Sequence, residues 1–138
     1  MFETKRKIEF HHCDPAGVLF YGNLFSICHS VYEEIIDTLK MDIKYWNNEE
    51  WAVPIISTSA NYFKSIRRGD VLKIKVLLSS IREHSFELEY NLYKDDGLYA
   101  SASTVHIFVN KSTWKKTSIP LEIKEKFAKL KVTRSSLV

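Results

Sequence analysis

Residues 11–36 read HHCDPAGVLFYGNLFSICHSVYEEII, a short polar loop followed by an apolar helix. The loop contains Asp14 and Gly17. From about Asn23 onward, apolar residues recur at intervals of three and four, the spacing of a helix that buries one broad face. Asn23 is a suitable N-cap for this helix, and Gly22 lets the backbone turn into it. The stretch therefore predicts a long, largely buried helix whose first turn follows the Asp14 loop.

An acidic loop that leads into a helix has a chemical use. The first amide N–H groups of a helix have no acceptor within it and carry the positive end of its dipole. Such amides can stabilise an oxyanion that develops on a carbonyl, while Asp14 attacks the same carbonyl or deprotonates a water beside it. The alternative is that Asp14 is only a turn residue, because an Asp-Pro pair favours turns.

The composition indicates one globular domain that spans residues 1–138. With 45% hydrophobic and 27% charged residues, the chain can bury a core without metal or disulfide crosslinks. No apolar run is long enough to span a bilayer, and the N-terminus lacks the apolar segment of a signal peptide. The formal charge of +3 is too small to predict a nucleic-acid partner. Cys13 and Cys28 form no CxxC motif, so a reduced, cytoplasmic setting is expected.

Two other roles would fit single residues of the loop. His11, His12 and Asp14 together suggest metal ligands. Adjacent residues of an extended segment point in opposite directions, however, and no third histidine lies nearby in the sequence. Cys13 stands beside Asp14, but nothing in the local sequence would lower the pKa of its thiol and make it a nucleophile. We therefore predict no metal site and no cofactor.

Outside the helix, the sequence has mainly the alternating pattern of β-strands. One strand is predicted before the loop and four after the long helix, and a short helix is predicted near the C-terminus. The strands are expected at residues 5–10, 53–66, 71–81, 85–93 and 98–109, with a hairpin turn at Asp96-Gly97 and Pro120 as the first residue of the short helix. Residues 131–138 are expected to be a frayed tail. This order predicts an α+β domain with an antiparallel five-stranded sheet around one helix.

The segment DPAGVLFYGN at residues 14–23 resembles the active-site segment of the 4-hydroxybenzoyl-CoA thioesterase family, whose fold is the hot-dog. The helix segment SICHSVYEE at residues 26–34 resembles more closely that of the 1,4-dihydroxy-2-naphthoyl-CoA thioesterase branch. The likeness extends from about Thr4 to Phe127. It implies a curled five-stranded sheet wrapped round the long central helix. It also implies a homodimer that joins two sheets side by side, with the active site at the seam, and a tetramer of two such dimers.

The resemblance assigns roles to residues in the helix region. It implies that Asp14 is the nucleophile or general base in cleaving an acyl-CoA thioester, and that the backbone N–H of Tyr21 holds the thioester oxygen. Packing is the alternative role for the side chain of Tyr21. His29 is expected to contact a ring hydroxyl of an aromatic acyl group, where the 4-hydroxybenzoyl enzymes carry an aspartate. The alternative for His29 is a hydrogen-bonded histidine of the core. Gly17 is expected to contact the substrate.

Other candidate residues, farther along the chain, are expected to bind the coenzyme A part of the substrate or to line its pocket. Arg82 and Lys115 match basic positions that bind coenzyme A phosphates in the benzoyl enzymes, although a second arginine of that family is replaced here by Glu83. For both, an exposed surface charge is the alternative interpretation. Residues 57–59 are small and polar and could line the pocket. Of these, Ser59 is named as the candidate for contact with the substrate.

The sequence thus predicts an acyl-CoA thioesterase for an aromatic acyl group, with 1,4-dihydroxy-2-naphthoyl-CoA as the first choice. One alternative is a thioesterase for acyl-carrier-protein or medium-chain acyl-CoA substrates. Another class is a non-catalytic acyl-CoA binding module, against which Asp14 argues, because binding alone does not require a carboxylate beside the thioester. A dehydratase on the same fold would need a histidine–acid pair. The Tol-Pal-associated thioesterases carry a histidine where this chain has Tyr21, which argues against that branch.

Overall fold

A long helix packed on one face of an antiparallel sheet organises the chain. The computed structural model describes residues 1–41 and 43–130, so the predicted frayed tail at residues 131–138 lies outside the described residues. The elements are β1 (Phe2–Lys7), α1 (Tyr21–Thr38), β2 (Trp51–Ala52), β3 (Ile55–Tyr62), β4 (Val71–Ile81), β5 (Ser85–Lys94), β6 (Gly97–Ile107), β7 (Val109–Asn110) and α2 (Leu121–Phe127).

Five of the strands form one antiparallel sheet in the order β1-β4-β5-β6-β3, and β2 pairs with β7 in a small second sheet. The large sheet is open, with β1 and β3 at its two edges. The predicted α+β class, the five-stranded antiparallel sheet, the long helix and the short C-terminal helix are therefore confirmed. No helix in the described residues is long and apolar enough to cross a membrane.

The core lies between α1 and the sheet, because side chains alternate along each strand and only one face of the sheet is apolar. In β4, for example, Leu72, Ile74 and Val76 are fully buried, while Lys73 and Lys75 alternate with them and are only half-buried. Burying an aliphatic side chain of this kind contributes about 1.5–3 kcal/mol. The buried residues of α1 that complete this core are Leu24, Ile27, Cys28, Val31, Tyr32, Ile35 and Ile36.

The start of α1 differs from the prediction. The helix begins at Tyr21, with Phe20 as its N-cap, so the assignment of Asn23 as the N-cap is wrong. Asn23 lies in the first turn, where its side-chain amide donates to the carbonyl oxygen of His12 at 2.9 Å. The backbone N–H of Phe20 donates to the same carbonyl oxygen at 3.0 Å. Two bonds to the preceding loop therefore fix the start of the helix, in place of a side-chain cap.

Several boundaries of the strands and of the short helix also differ from the predicted ones. The first strand ends at Lys7, and Phe10 lies in a short 3₁₀ turn with 71% of its surface exposed. The long strand predicted at residues 53–66 is regular only over Ile55–Tyr62. Pro120 caps the short helix and is not its first residue. In the β5–β6 hairpin the two turn residues are Asp95 and Asp96, because Gly97 already pairs with Lys94.

A chain of buried polar groups crosses the core beside α1. The hydroxyls of Tyr90 and Thr104 lie 3.2 Å apart, and Thr104 Oγ1 lies 2.8 Å from Nε2 of His106. The His106 ring is fully buried and stacks on Phe86, with 4.5 Å between the ring centroids. Burial, helped by the nearby charge of His29, lowers the pKa of His106 to about 3. His106 is therefore neutral in the folded protein at physiological pH.

The buried state of His106 predicts a loss of stability in acid. An unfolded chain takes up a proton on this ring below its ordinary pKa of about 6.5, whereas the folded chain does so only near 3. The unfolded state thus binds more protons between these values, and the free energy of unfolding falls as the pH falls. The expected contribution is about 2 kcal/mol between pH 8 and pH 5. Denaturant unfolding at both values measures it. His106→Gln should unfold with a smaller difference between the two pH values, and an unchanged difference would contradict the assignment.

Candidate active site

The Asp14 loop is closed by its own hydrogen bonds. The N–H of Asp14 donates to Val18 O, and the N–H of Gly17 donates to Asp14 O, both at 2.9 Å. The carboxylate oxygen Oδ1 of Asp14 accepts from the backbone N–H groups of Ala16 at 2.9 Å and Val18 at 3.3 Å. Gly17 has φ +80°, a conformation that favours glycine. In the described residues, Oδ2 of Asp14 accepts no hydrogen bond, so one carboxylate oxygen is held and the other is available.

The first turn of α1 offers donors beside this carboxylate. Phe20 caps the helix without a side-chain hydrogen bond. The N–H of Tyr21 has no acceptor within the part of the chain that the structure describes. The carbonyl oxygen of Tyr21 accepts a 2.8 Å hydrogen bond from the hydroxyl of Tyr62 at the end of β3. The start of the helix is thus tied to the sheet while its first amide stays available to a ligand.

Asp14 and Tyr21 line one open cleft with a volume of about 550 Å³. The structure therefore brings the predicted catalytic carboxylate and the predicted amide donor together. Gly17 belongs to the same loop. The lining residues are Asp14, Val18, Leu19, Phe20, Tyr21, Tyr62, Phe63, Lys64, Ser65 and Ile66.

Tyr62, Phe63 and Lys64 are cleft residues that the sequence analysis missed. They lie at and just after the end of β3, inside the stretch that was predicted as one continuous strand. Burial raises the pKa of Tyr62, so its hydroxyl keeps its proton and remains a donor at neutral pH. The sequence does contain a signal for them, since two aromatic residues follow directly after the small, mostly polar residues 57–61.

His29 lies on the exposed surface of α1, eight residues after Tyr21 and thus about 12 Å farther along the helix axis. Its ring contacts Tyr32 and Trp46, with centroid distances of 5.5 and 6.5 Å. The hydrogen-bonded core histidine, which was the alternative interpretation for His29, is found at His106 instead. The structure thus leaves the His29 ring accessible, outside the cleft of its own protomer.

Ser59 does not face the cleft. It pairs with Ser103 across the β3–β6 ladder, and the two hydroxyl oxygens lie 2.8 Å apart. Directly opposed residues of an antiparallel pair share a face. Thr58 pairs with the buried Thr104, so Thr58 lies on the helix side and Ser59 on the outer face of the sheet. Within one protomer Ser59 therefore lies away from the Asp14 cleft, and a substrate contact by Ser59 stays a prediction.

Arg82 and Lys115 are exposed at the other end of the sheet. Arg82 lies in the β4–β5 turn. This turn is tied to the segment after Lys115, because the hydroxyl of Ser118 donates to the Glu83 carboxylate at 3.2 Å and the N–H of Ile119 donates to the Glu83 carbonyl at 2.9 Å. The two predicted coenzyme A ligands thus lie on connected segments.

The pairing of β3 with β6 shows how far the Arg82 and Lys115 end of the sheet lies from the Asp14 cleft. Tyr62, which lines the cleft, pairs with Ala100, whereas Ile55 pairs with His106 near the other end of β6. Six residues of extended strand span about 20 Å. Within one protomer, Asp14 is therefore separated from Arg82 and Lys115 by most of the length of the sheet.

The edge strand β3 is unusually exposed for a strand of this length. Its large apolar residues Ile55 and Ile56, together with Tyr62 and the following Phe63, are between 40% and 59% exposed. Phe20, at the start of α1, is also exposed beside the same cleft. A long, apolar, unpaired edge is a template for pairing with another chain.

The histidines of the loop make contacts within the loop itself. The Nδ1 atom of His12 accepts the backbone N–H of Glu9 at 2.9 Å, and the His11 and His12 rings contact each other with 4.1 Å between centroids. Within residues 1–41 and 43–130, no group of three or more His, Cys, Asp or Glu side chains is arranged to hold a metal ion.

The fold is the hot-dog fold of thioesterases, and residues 8–127 match the family model of the thioesterase-like superfamily. The chain belongs to this superfamily. It is similar to the 1,4-dihydroxy-2-naphthoyl-CoA hydrolase of Crocosphaera subtropica, at 30% identity over 86% of this chain and 89% of the relative. The same enzyme of Nostoc punctiforme is also 30% identical, over 88% of this chain and 83% of the relative.

Solved structures agree with this assignment of the fold. The 1,4-dihydroxy-2-naphthoyl-CoA thioesterase from Synechocystis superposes with a TM-score of 0.86 at 22% identity, over 94% of this chain and 96% of that one. A Staphylococcus aureus protein solved in complex with CoA superposes with a TM-score of 0.85 at 16% identity, over 96% of this chain and 86% of that one. The predicted resemblance and the predicted class, a thioester hydrolase, are confirmed.

Proposed function

We propose that the protein hydrolyses an aromatic acyl-CoA thioester, with 1,4-dihydroxy-2-naphthoyl-CoA as the first choice. The observation that carries the proposal is the available carboxylate oxygen of Asp14 in one cleft with the unpaired N–H of Tyr21. The identity to 1,4-dihydroxy-2-naphthoyl-CoA hydrolases supports the choice of acyl group.

Two routes use the same two groups. In the first, Oδ2 of Asp14 attacks the thioester carbon, the C–S bond breaks, and the mixed anhydride that remains is hydrolysed by water. In the second, Asp14 removes a proton from a water that attacks directly, and the coenzyme A thiolate leaves. In both, the N–H of Tyr21 stabilises the negative charge that develops on the thioester oxygen. A carboxylate suffices because a thiolate is a better leaving group than an amine.

The complete site, as we propose it, forms between two protomers. Antiparallel pairing of β3 with β3 of a second copy joins the two sheets and covers the exposed edge. Such pairing places the Arg82 and Lys115 end of one protomer beside the Asp14 cleft of the other. The coenzyme A phosphates and the reacting carbonyl are then held by different chains. The assembly of two dimers into a tetramer stays a prediction.

A hydrolysis screen across aryl-CoA, aliphatic acyl-CoA and acyl-carrier-protein esters tests the proposed reaction. The expected result is the highest kcat/KM for hydroxylated aryl-CoA esters. Preference for aliphatic or carrier-protein esters would contradict the proposed acyl group. Tight binding of acyl-CoA without any turnover would identify a binding module.

His29→Ala is expected to impair the hydrolysis of hydroxylated aryl-CoA esters far more than that of benzoyl-CoA. The proposed reason is a hydrogen bond between His29 and a ring hydroxyl, whose loss costs about 1–3 kcal/mol when the partner stays buried. Steady-state kcat and KM on both esters measure the difference. Ser26→Ala, also exposed on α1, is the matched control. An equal loss on both esters would assign His29 a structural role.

A further inference from the structure

The hydroxyl of Tyr62 is bonded to the first turn of α1, although its ring is not packed in the core. Tyr62 is the last residue of β3 and is 46% exposed. An exposed tyrosine hydroxyl can bond to water, but this one donates to the carbonyl oxygen of Tyr21 at 2.8 Å, across 41 residues of the chain. Tyr62 therefore connects β3 to the start of α1, and both residues of this bond line the Asp14 cleft.

The bond to the carbonyl of Tyr21 also acts on the next backbone N–H group. This carbonyl and the N–H of Gly22 belong to one planar peptide group. A hydrogen bond accepted by the oxygen of such a group polarises it, and its N–H becomes a stronger donor. The hydroxyl of Tyr62 therefore strengthens the N–H of Gly22 as a hydrogen-bond donor.

The N–H of Gly22 is free to use this gain. In the part of the chain that the structure describes, neither this N–H nor that of Tyr21 has an acceptor. The third N–H of the helix, that of Asn23, is already bonded to Phe20 O at 2.9 Å. The N–H groups of a helix point toward its N-terminal end, so the two free ones point in the same direction. Two adjacent donors of this kind can share one developing oxyanion.

We propose that Tyr62 is a positioning residue of the thioester hydrolysis at Asp14. Its hydroxyl holds the first turn of α1 against β3 and strengthens the N–H of Gly22, which donates to the thioester oxygen together with the N–H of Tyr21. The inference rests on the proposed reaction, and it adds a side chain that acts on the oxyanion through the backbone without touching the thioester.

Tyr62→Phe tests the bond alone, because it removes the hydroxyl and keeps the ring. We expect kcat for an aryl-CoA ester to fall about fivefold with KM unchanged, since one neutral hydrogen bond is lost while both N–H donors remain. Tyr93→Phe is the matched control and should keep full turnover, because the Tyr93 ring lies against Lys75 on the outer face of the sheet. An unchanged kcat in Tyr62→Phe would overturn the proposal.

A ring-fluorinated tyrosine at position 62 separates polarisation from a structural role. Its phenol is a stronger donor, and the raised pKa of Tyr62 indicates that the fluorinated ring also keeps its proton at neutral pH. This variant should turn over at least as fast as wild type, in the opposite direction to Tyr62→Phe. A hydroxyl that only anchors the helix would not give this order, so a fluorinated variant as slow as Tyr62→Phe would contradict the proposal.

Spectra of a bound thioester test the donors without any need for turnover. Asp14→Asn should hold an aryl-CoA ester uncleaved for long enough to record its carbonyl stretch, which hydrogen-bond donors lower in frequency. The lowering should be smaller when Tyr62→Phe is added, and equal frequencies would overturn the role of Tyr62. Labelling only glycine with ¹⁵N gives four amide signals, and that of Gly22 should move downfield when the ester binds. A Gly22 signal that stays in place would exclude it as a donor.

The spectra also separate this inference from the proposed reaction. If wild type binds the ester and does not cleave it, the proposed hydrolysis fails, while the carbonyl frequencies still decide whether Tyr62 strengthens the donors. An ester that does not bind at all would overturn both.

Discussion

Asp14→Asn is expected to lower kcat at least ~100-fold while the fold and the affinity for coenzyme A survive. The substitution removes the negative charge that attacks the thioester or activates water. Asparagine keeps an Oδ1 atom that can accept the same two N–H groups, those of Ala16 and Val18, so the loop should close as before. The N–H of Tyr21 also remains, and a residual rate above the uncatalysed one is expected.

The decisive measurement combines kcat, the Kd for coenzyme A and the thermal midpoint on the same Asn variant. Coenzyme A is itself an anion, so losing a carboxylate near its thiol should leave Kd unchanged or lower it. Asp37→Asn, exposed near the far end of α1, is the matched control for a lost charge and should retain full turnover. A kcat near that of wild type would leave Asp14 as a turn residue and remove the proposed mechanism.

Ile56→Lys should convert the protein to monomers and with them remove nearly all activity. Ile56 is 59% exposed on the edge strand β3. Pairing of two β3 strands would bury the introduced charge in both copies, at a cost of several kcal/mol per ion, so the dimer dissociation constant should rise at least ~100-fold. Without the second copy, the Asp14 cleft lacks the basic end of the partner sheet.

Sedimentation and turnover measured at the same protein concentrations test this expectation. The matched control is Ile43→Lys, because Ile43 is 76% exposed and lies outside the sheet. That variant should remain dimeric and active. Wild-type protein that sediments as a fully active monomer would refute both the dimer and the shared site.

The fold was predictable wherever burial alone decides the pattern. Strand β4 was predicted at residues 71–81 and is found at Val71–Ile81, because buried Leu72 and half-buried Lys73 begin a strict alternation. The start of α1 was missed because Asn23 has the intrinsic preference of an N-cap, whereas two bonds to His12 O place the helix start at Tyr21. Tertiary hydrogen bonds of this kind leave no periodic trace in a sequence.

Some residues of the candidate site were likewise predictable from the local sequence, and others were not. Asp14 and Tyr21 lie seven residues apart in the chain and were found together, because a local segment determines their relation. The face of Ser59 depends on the β3–β6 register, which shifts at an irregularity between Ile55 and Ser57. A shift of one residue exchanges the two faces of a strand, so a pattern of small polar residues could not assign it.

The self-closed Asp14 loop has a consequence for how this protein can change in evolution. Its shape rests on bonds among Asp14, Ala16, Gly17 and Val18, and the backbone N–H of Arg68 ties it to the connection between β3 and β4 by donating to Gly17 O. In the proposed site, substitutions at exposed positions of α1 such as His29 are therefore expected to alter which acyl group is accepted while the Asp14 loop keeps its hydrogen bonds. Selection can then tune substrate range and bond cleavage separately, and directed evolution toward a new thioester should begin on the helix and leave the loop untouched.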